Sequence, residues 1–239
     1  MTNTRDEKEE LFLRLNVARI VLAEEEEEEE EARTVVSLLD ITERKRAEEA
    51  LERSLKETAN SRDLLLSLSK AAQAVQRAHT REEIFRAVGD EIVKLGYHNV
   101  ILTLSDDQTV MTVSSLTMAP NLLREAEKLA GISLSDFRWP LPLDSPVQRI
   151  INGGRSIFEA TGGLLAKDLP KPLNLLADQL IALFGIRQSI IAPLMVGGRV
   201  YGLLVVTGIG LTEAHIPAVT AFANQAAIAI ENAQLFEQV

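Results

Sequence analysis

The side chains able to do chemistry in this chain of 239 residues are few. There are three histidines, His79, His98 and His215, and no cysteine. His215 stands two residues after Glu213 at the expected start of a helix, which by residue type is an acid–base pair. A surface histidine beside a helix cap is the simpler reading. His98, next to Tyr97, reads as a strand-edge residue. Haem ligation through His98 or His215 stays open as an alternative. Gly153-Gly154 and Thr161-Gly162-Gly163 are glycine-rich, but no Gly-Lys-Ser/Thr follows either, so neither is a phosphate loop. No nucleophile has a base at recognisable spacing. Catalytic residues, metal ligands and a cofactor are therefore not expected, and the chain reads as something other than an enzyme. Without cysteine there are no disulfides, no thiolate chemistry, no Cys-based zinc site and no thioether-linked cofactor. Residues 24–31 are consecutive glutamates. Adjacent carboxylates do not converge on one cation unless a fold bends them, so a solvated, self-repelling segment is the expectation.

Those glutamates account for most of the formal net charge of −10, and the remaining chain is nearly neutral. Nucleic-acid binding rests on phosphate neutralisation, and no basic patch is visible. The same holds for adhesion to an anionic membrane. The longest apolar stretch, residues 200–211, is broken by Gly202, Gly208 and Gly210 and is about half a membrane span. No signal peptide follows Met1. A cytoplasmic protein with neither nucleic-acid nor membrane partners is the expectation.

Residues 11–22 alternate in apolarity and predict a strand, with an amphipathic helix as the alternative. Residues 33–39 predict a second strand, so the acidic run would sit between the arms of a hairpin that is marginal alone. Asp40 with Glu43 reads as a helix cap and its reciprocal partner. From there to residue 78 no Gly or Pro interrupts a helical pattern. Leu51, Leu55, Thr58, Arg62, Leu65, Ser69 and Ala72 follow steps of four and three, a coiled-coil seam with a polar centre. A solvated linker helix is the alternative. Thr80 with Glu83 forms a second capping box, opening a helix that stops near Gly96. Strands are predicted over residues 99–104, 110–114, 156–159, 189–196 and 199–207, the last two joined at Gly197-Gly198, where both residues can take positive φ. Helices are predicted over 122–129, 145–151 and 173–184. Residues 137–143 read as irregular and proline-marked. A final alanine-rich helix begins near Pro217, with Phe222, Ala226 and Ile230 on the face expected to meet a neighbouring helix.

Several segments, in order, resemble a GAF domain over about residues 64–239. They are Thr80-Arg81-Glu82-Glu83-Ile84-Phe85 with Leu95-Gly96-Tyr97, Ile150-Ile151-Asn152-Gly153-Gly154-Arg155-Ser156-Ile157, and Ser189-Ile190-Ile191-Ala192-Pro193-Leu194 with Gly198-Arg199-Val200-Tyr201-Gly202. The closing stretch Phe222-Ala223-Asn224-Gln225-Ala226-Ala227-Ile228-Ala229-Ile230-Glu231-Asn232-Ala233 completes the set. Asp40-Ile41-Thr42-Glu43-Arg44-Lys45-Arg46-Ala47-Glu48-Glu49-Ala50-Leu51 resembles the C-terminal signature of a PAS domain and the signalling helix after it. Only about forty residues precede that point, which implies a truncated PAS end.

These resemblances imply an α/β (α+β) fold: a central antiparallel sheet of five or six strands flanked by helices, with a long coiled-coil-type helix before it. The implied organisation is a PAS-end hairpin over 1–40, a linker helix over 41–78 and a sensory domain over 79–239. The implied setting is the input side of a bacterial sensor histidine kinase in a two-component system, with a histidine kinase or response regulator as partner. None of the histidines has a His-Glu-x-x-x-Pro context, so kinase chemistry is not expected here. The Asn-Lys-x-Phe-Asp signature of cyclic-nucleotide-binding relatives is missing, and bilin attachment through cysteine is excluded. In such folds short elements cover one sheet face; here the cover would be residues 134–169. Phe137, Trp139 and Phe158 lie in that stretch and could line a cavity for a small apolar ligand, or simply fill the core. The expected role is a homodimeric, non-catalytic sensory module whose paired helices relay a signal. A ligand-free adaptor is the alternative. The dimer helices would present Leu51, Leu55, Leu65, Ala72, Phe222, Ala226 and Ile230.

Overall fold

The computed structural model describes residues 13–22, 31–135, 137–142, 144–160, 163–164, 168–171 and 173–237. Two compact units emerge, Met1–Thr58 and Ala59–Val239.

In the first unit, β1 (Leu13–Leu22) and β2 (Glu31–Asp40) pair antiparallel over their full length, from Leu13 opposite Asp40 to Leu22 opposite Glu31. The acidic run, apart from Glu31, lies outside the described residues. Leu13, Leu15 and Leu39 are exposed. The long helix α1 (Thr42–Val75) begins one residue after β2. Its start is held by Asp40, whose carboxylate accepts the Thr42 amide at 2.9 Å. The Thr42 side chain and, after it, that backbone bond hold the Asp40 carboxyl below its usual range. Strand passes into helix with no slack between them because a short aspartate side chain satisfies an otherwise orphaned amide.

From Ala59 onward α1 belongs to the second unit. There follow α2 (Arg81–Lys94), β3 (His98–Leu104), β4 (Val110–Thr117), α3 (Pro120–Ala130), β5 (Arg138–Pro140) and α4 (Pro146–Gly153). Then come β6 (Ile157–Glu159), α5 (Ala177–Phe184), β7 (Gln188–Val196), β8 (Arg199–Gly208) and α6 (Ile216–Glu237). Six strands form one antiparallel sheet in the order β5-β4-β3-β8-β7-β6. Residues 138–140, expected to be irregular, instead form edge strand β5, with Trp139 opposite Met111. A proline is tolerated on an edge, where one side of the strand has no ladder to complete.

Both sheet faces are covered, so the central strands are continuously apolar while their side chains alternate between two cores. Ile101, Ile190, Leu204 and Val206 point to the face where α1, α2 and α6 pack. Leu102, Ile191, Leu203 and Val205 point to the face covered by α4 and the loops around it, the face to which Trp139 of edge strand β5 also turns. Near the start of β8 the register with β7 slips: Leu194 faces Gly202 and Met195 faces Val200, leaving Tyr201 bulged. A Cβ on Gly202 would overlap the Leu102 carbonyl oxygen and lie 3.1 Å from the Thr103 Cα, so only glycine permits that approach of β8 to β3.

The helical face rests on local signals. The Thr80 hydroxyl accepts the Glu83 amide at 3.3 Å, and the Glu83 carboxylate accepts the amides of His79 and Thr80 at 2.9 and 3.3 Å. These bonds hold the Glu83 carboxyl below its ordinary range. The α2 helix then buries Ile84, Phe85, Val88 and Ile92.

Candidate functional site

Two features of the second unit could serve a function, one on each face of the sheet. On the loop-covered face lies an apolar cavity of about 180 Å³. Its floor is β3 and β8 through Val100, Leu102 and Val205, and its cover includes Phe137, Trp139, Leu169 and residues of α5. Phe137 and Trp139 stack with ring centroids 5.7 Å apart and planes 23° apart. A smaller lobe of about 90 Å³ adjoins it, sharing Val100, Leu116, Phe184, Ile186 and Thr207 and ending at His98 and Asn99.

The three aromatic residues expected to share one cavity do not. Phe137 and Trp139 line it, whereas Phe158 packs into the opposite, helical core. The reason is strand parity: β6 sends Ile157 to one face and Phe158 to the other.

On the helical face, α1 and α6 run beside each other with an open groove of about 650 Å³ between them. Gln76 donates to the backbone and side-chain oxygens of Gln225 at 3.2 and 3.3 Å, and Ser61 donates to the Ala214 carbonyl at 2.6 Å. The face of α1 that enters the core is Leu64, Leu68, Ala71, Ala72 and Val75. That is one residue out of step with the seam drawn from sequence. Of the residues assigned to dimer helices, Ala72, Phe222, Ala226 and Ile230 are buried in the domain's own core, not on an exposed face. Leu51, Leu55 and Leu65 are exposed. The outward face of α6 carries Ala221, Ile228 and Leu235 at intervals of seven, all exposed.

The histidines also differ from expectation. His215 is buried, not a surface group; its Nδ1 accepts the Thr212 amide at 3.0 Å. Burial holds its imidazole below the usual 6.5, against the opposing effect of the Thr212 bond. His98 opens β3, an interior strand between β4 and β8 rather than an edge. Among the described residues four buried side-chain atoms have no hydrogen-bond partner: His98 Nδ1, Asn99 Oδ1, Trp139 Nε1 and Asp168 Oδ2. Burial pushes the Asp168 carboxyl up. Sequence reasoning weighed Trp139 only as an apolar surface and did not single out Asp168, because burial of one polar atom leaves no trace in periodicity. Among the described residues no cluster of three potential ligands could hold a metal, and no helix is long and apolar enough to cross a membrane.

No curated protein matches the chain in sequence. Solved structures with this fold are recognisable. The GAF domain of a phosphoenolpyruvate-protein phosphotransferase from Coxiella burnetii is 16% identical, with a TM-score of 0.54 over 75% of this chain and 99% of that one. Residues 122 to 287 of a methyl-accepting chemotaxis protein, as solved in a crystal structure, are 16% identical, with a TM-score of 0.54 over 71% of this chain and 99% of that fragment. The phycoerythrobilin-bound GAF domain of a cyanobacterial phytochrome is 16% identical, with a TM-score of 0.51 over 72% and 98%. At these identities the likeness is one of fold. The family model for the GAF domain matches residues 78–231, which takes in the whole sheet and most of α6. This chain belongs to the GAF domain family, a family of sensory and signalling domains.

Proposed function

We propose that the chain is a non-catalytic sensory and dimerisation module that relays a small-molecule or partner signal through paired helices. The observation that carries this reading is the use of two faces of one sheet. A cavity lies against one face and the α1–α6 pair against the other, and β3, β7 and β8 send alternate side chains to both. A ligand that favours one packing of the cover displaces the strands beneath it, and the helices behind respond. The displacement has consequences only if the ligand binds the two states unequally.

The dimer surface in this reading is the outer face of the helix pair: Leu65 with Ala221, Ile228 and Leu235. A seven-residue spacing on α6 suits a second copy, since a twofold axis sets the same stripe against itself. The setting that fits is the input side of a sensor histidine kinase, with the strand-to-helix joint at Asp40 read as a PAS end and its signalling helix. Light scattering tests the mechanism. A dimer at micromolar concentration is expected, and a strict monomer removes the relay.

A ligand-free structural adaptor is the second reading. The cavity favours it by being smaller than the roughly 300 Å³ at which typical ligand pockets begin. A thermal-shift screen separates the two, because a ligand raises the melting point by mass action and an adaptor shows no such rise.

A further inference from the structure

We propose that a polar crevice on the helical face, between α1 and the turn that leads into α6, binds a polyhydroxylated molecule of monosaccharide size that carries no negative charge. The site lies across the sheet from the apolar cavity and needs neither that cavity nor a second copy of the chain.

The crevice has a volume of about 330 Å³, within the range of small-molecule sites. Asn60, Asp63 and Ser67 come from α1, Tyr97 from the approach to β3, and His215 from the turn before α6. Steps of three and four residues put the α1 side chains on one stripe of the helix.

His215 supplies a donor of fixed direction. The residue is 5% exposed, and its Nδ1 accepts the Thr212 amide at 3.0 Å. An amide N–H can only donate, so the neutral ring carries its proton on Nε2. Nε2 is not among the sealed, partnerless atoms, and it makes no hydrogen bond among the described residues. It therefore keeps accessible surface, and the ring lines the crevice.

Asp63 is the complementary acceptor, an exposed carboxylate with no ion-pair partner among the described residues. Asn60, Ser67 and Tyr97 can each donate and accept, and none of their side chains is hydrogen-bonded among the described residues. A hydroxyl also does both, so adjacent hydroxyls on one small ring can answer a fixed donor, a fixed acceptor and three groups of either kind. A phosphate or carboxylate would reach His215 only by facing Asp63, and among the described residues no Lys or Arg lines the crevice to offset the repulsion. A metal ion is unsuited too, since Nε2 presents a proton where a cation needs a lone pair.

Glucose, glucosamine and glucuronate are matched probes: one ring shape carrying, at neutral pH, no charge, a positive charge and a negative charge. Each is titrated into the full chain and followed in ¹H–¹⁵N spectra, with long-range correlations resolving the imidazoles of the three histidines. His215 is expected in the Nε2–H form, and glucose is expected to move its Nε2 resonance with a dissociation constant on the order of millimolar. Glucosamine should bind roughly threefold tighter than glucose and glucuronate roughly threefold weaker, the scale of one exposed charge pair. Asp63→Asn, at an exposed helix position, should leave the fold intact and bring the three affinities together. A His215 resonance unmoved by all three sugars up to roughly 100 mM overturns the site. Glucuronate binding as tightly as glucose overturns it as well, as do shifts that gather around Phe137 and Trp139 instead. An order of affinities that survives Asp63→Asn removes the carboxylate from the site and the ligand class with it.

Discussion

Replacing Gly202 with alanine tests whether the close approach of β3 and β8 is a requirement of the sheet. The added Cβ overlaps the Leu102 carbonyl oxygen and sits 3.1 Å from the Thr103 Cα. Both obstacles are backbone of the partner strand, so no rotamer change relieves them. Overpacking of this kind costs about 2–3 kcal/mol, or a fall in melting temperature of roughly 4–12 °C for a chain of this size. Two other glycines calibrate it. At Gly208 the obstacle is the ring of Tyr97, which is half-buried and can turn. Gly208→Ala should therefore cost about 1 kcal/mol, the scale of an off-rotamer side chain. At Gly153, in the last turn of α4, an added Cβ meets nothing within 4 Å. Gly153→Ala should stabilise by about 0.5–1 kcal/mol, because alanine gives up less backbone freedom on folding. Thermal and urea unfolding at one fixed protein concentration measure all three, since a dimer makes the midpoint concentration-dependent. If Gly202→Ala proves milder than Gly208→Ala, the distinction between rigid backbone and movable side chain does not explain this sheet.

Leu65 is 43% exposed, so an interface can still cover about half of a leucine, roughly 1 kcal/mol per copy. In a twofold dimer Leu65→Asp counts twice and should weaken association at least thirtyfold. Sedimentation measures this, and monomer stability should stay within about 0.5 kcal/mol. Thr80→Ala removes the hydroxyl that receives the Glu83 amide and should cost about 1 kcal/mol in denaturant unfolding. The buried His215 imidazole is held below 6.5, so between its folded and unfolded pKa the unfolded chain binds the extra proton. Its contribution to stability is present above about pH 6.5 and declines as pH falls below that value toward the folded pKa. The drop in melting temperature from pH 7 to pH 5.5 should be smaller in His215→Gln. An unchanged slope would show that His215 does not titrate differently in the two states.

What the residues determined by themselves is what is decided within a few positions of chain. Thr80 and Glu83 form their capping box because both partners lie within one helical turn. Gly131, Gly154 and Gly185 end α3, α4 and α5 at positive φ, and Gly197-Gly198 turns β7 into β8 with both residues at positive φ. The antiparallel sheet, its flanking helices and the family were legible for the same reason, as an ordered set of such local signals. Tertiary structure decided the rest. β5 exists only because β4 offers it an edge. Phe158 leaves the cavity because β6 pairs with β7 in a register that turns it to the helical face. Ala72, Phe222, Ala226 and Ile230, assigned to a dimer seam, lie in the core because α1, α2 and α6 pack together over one face of the sheet. Among the described residues the Trp139 N–H is without a partner because of what surrounds it in space, and those neighbours come from distant parts of the chain. Periodicity along a sequence reports which residues share a face; only the folded contacts settle what that face meets.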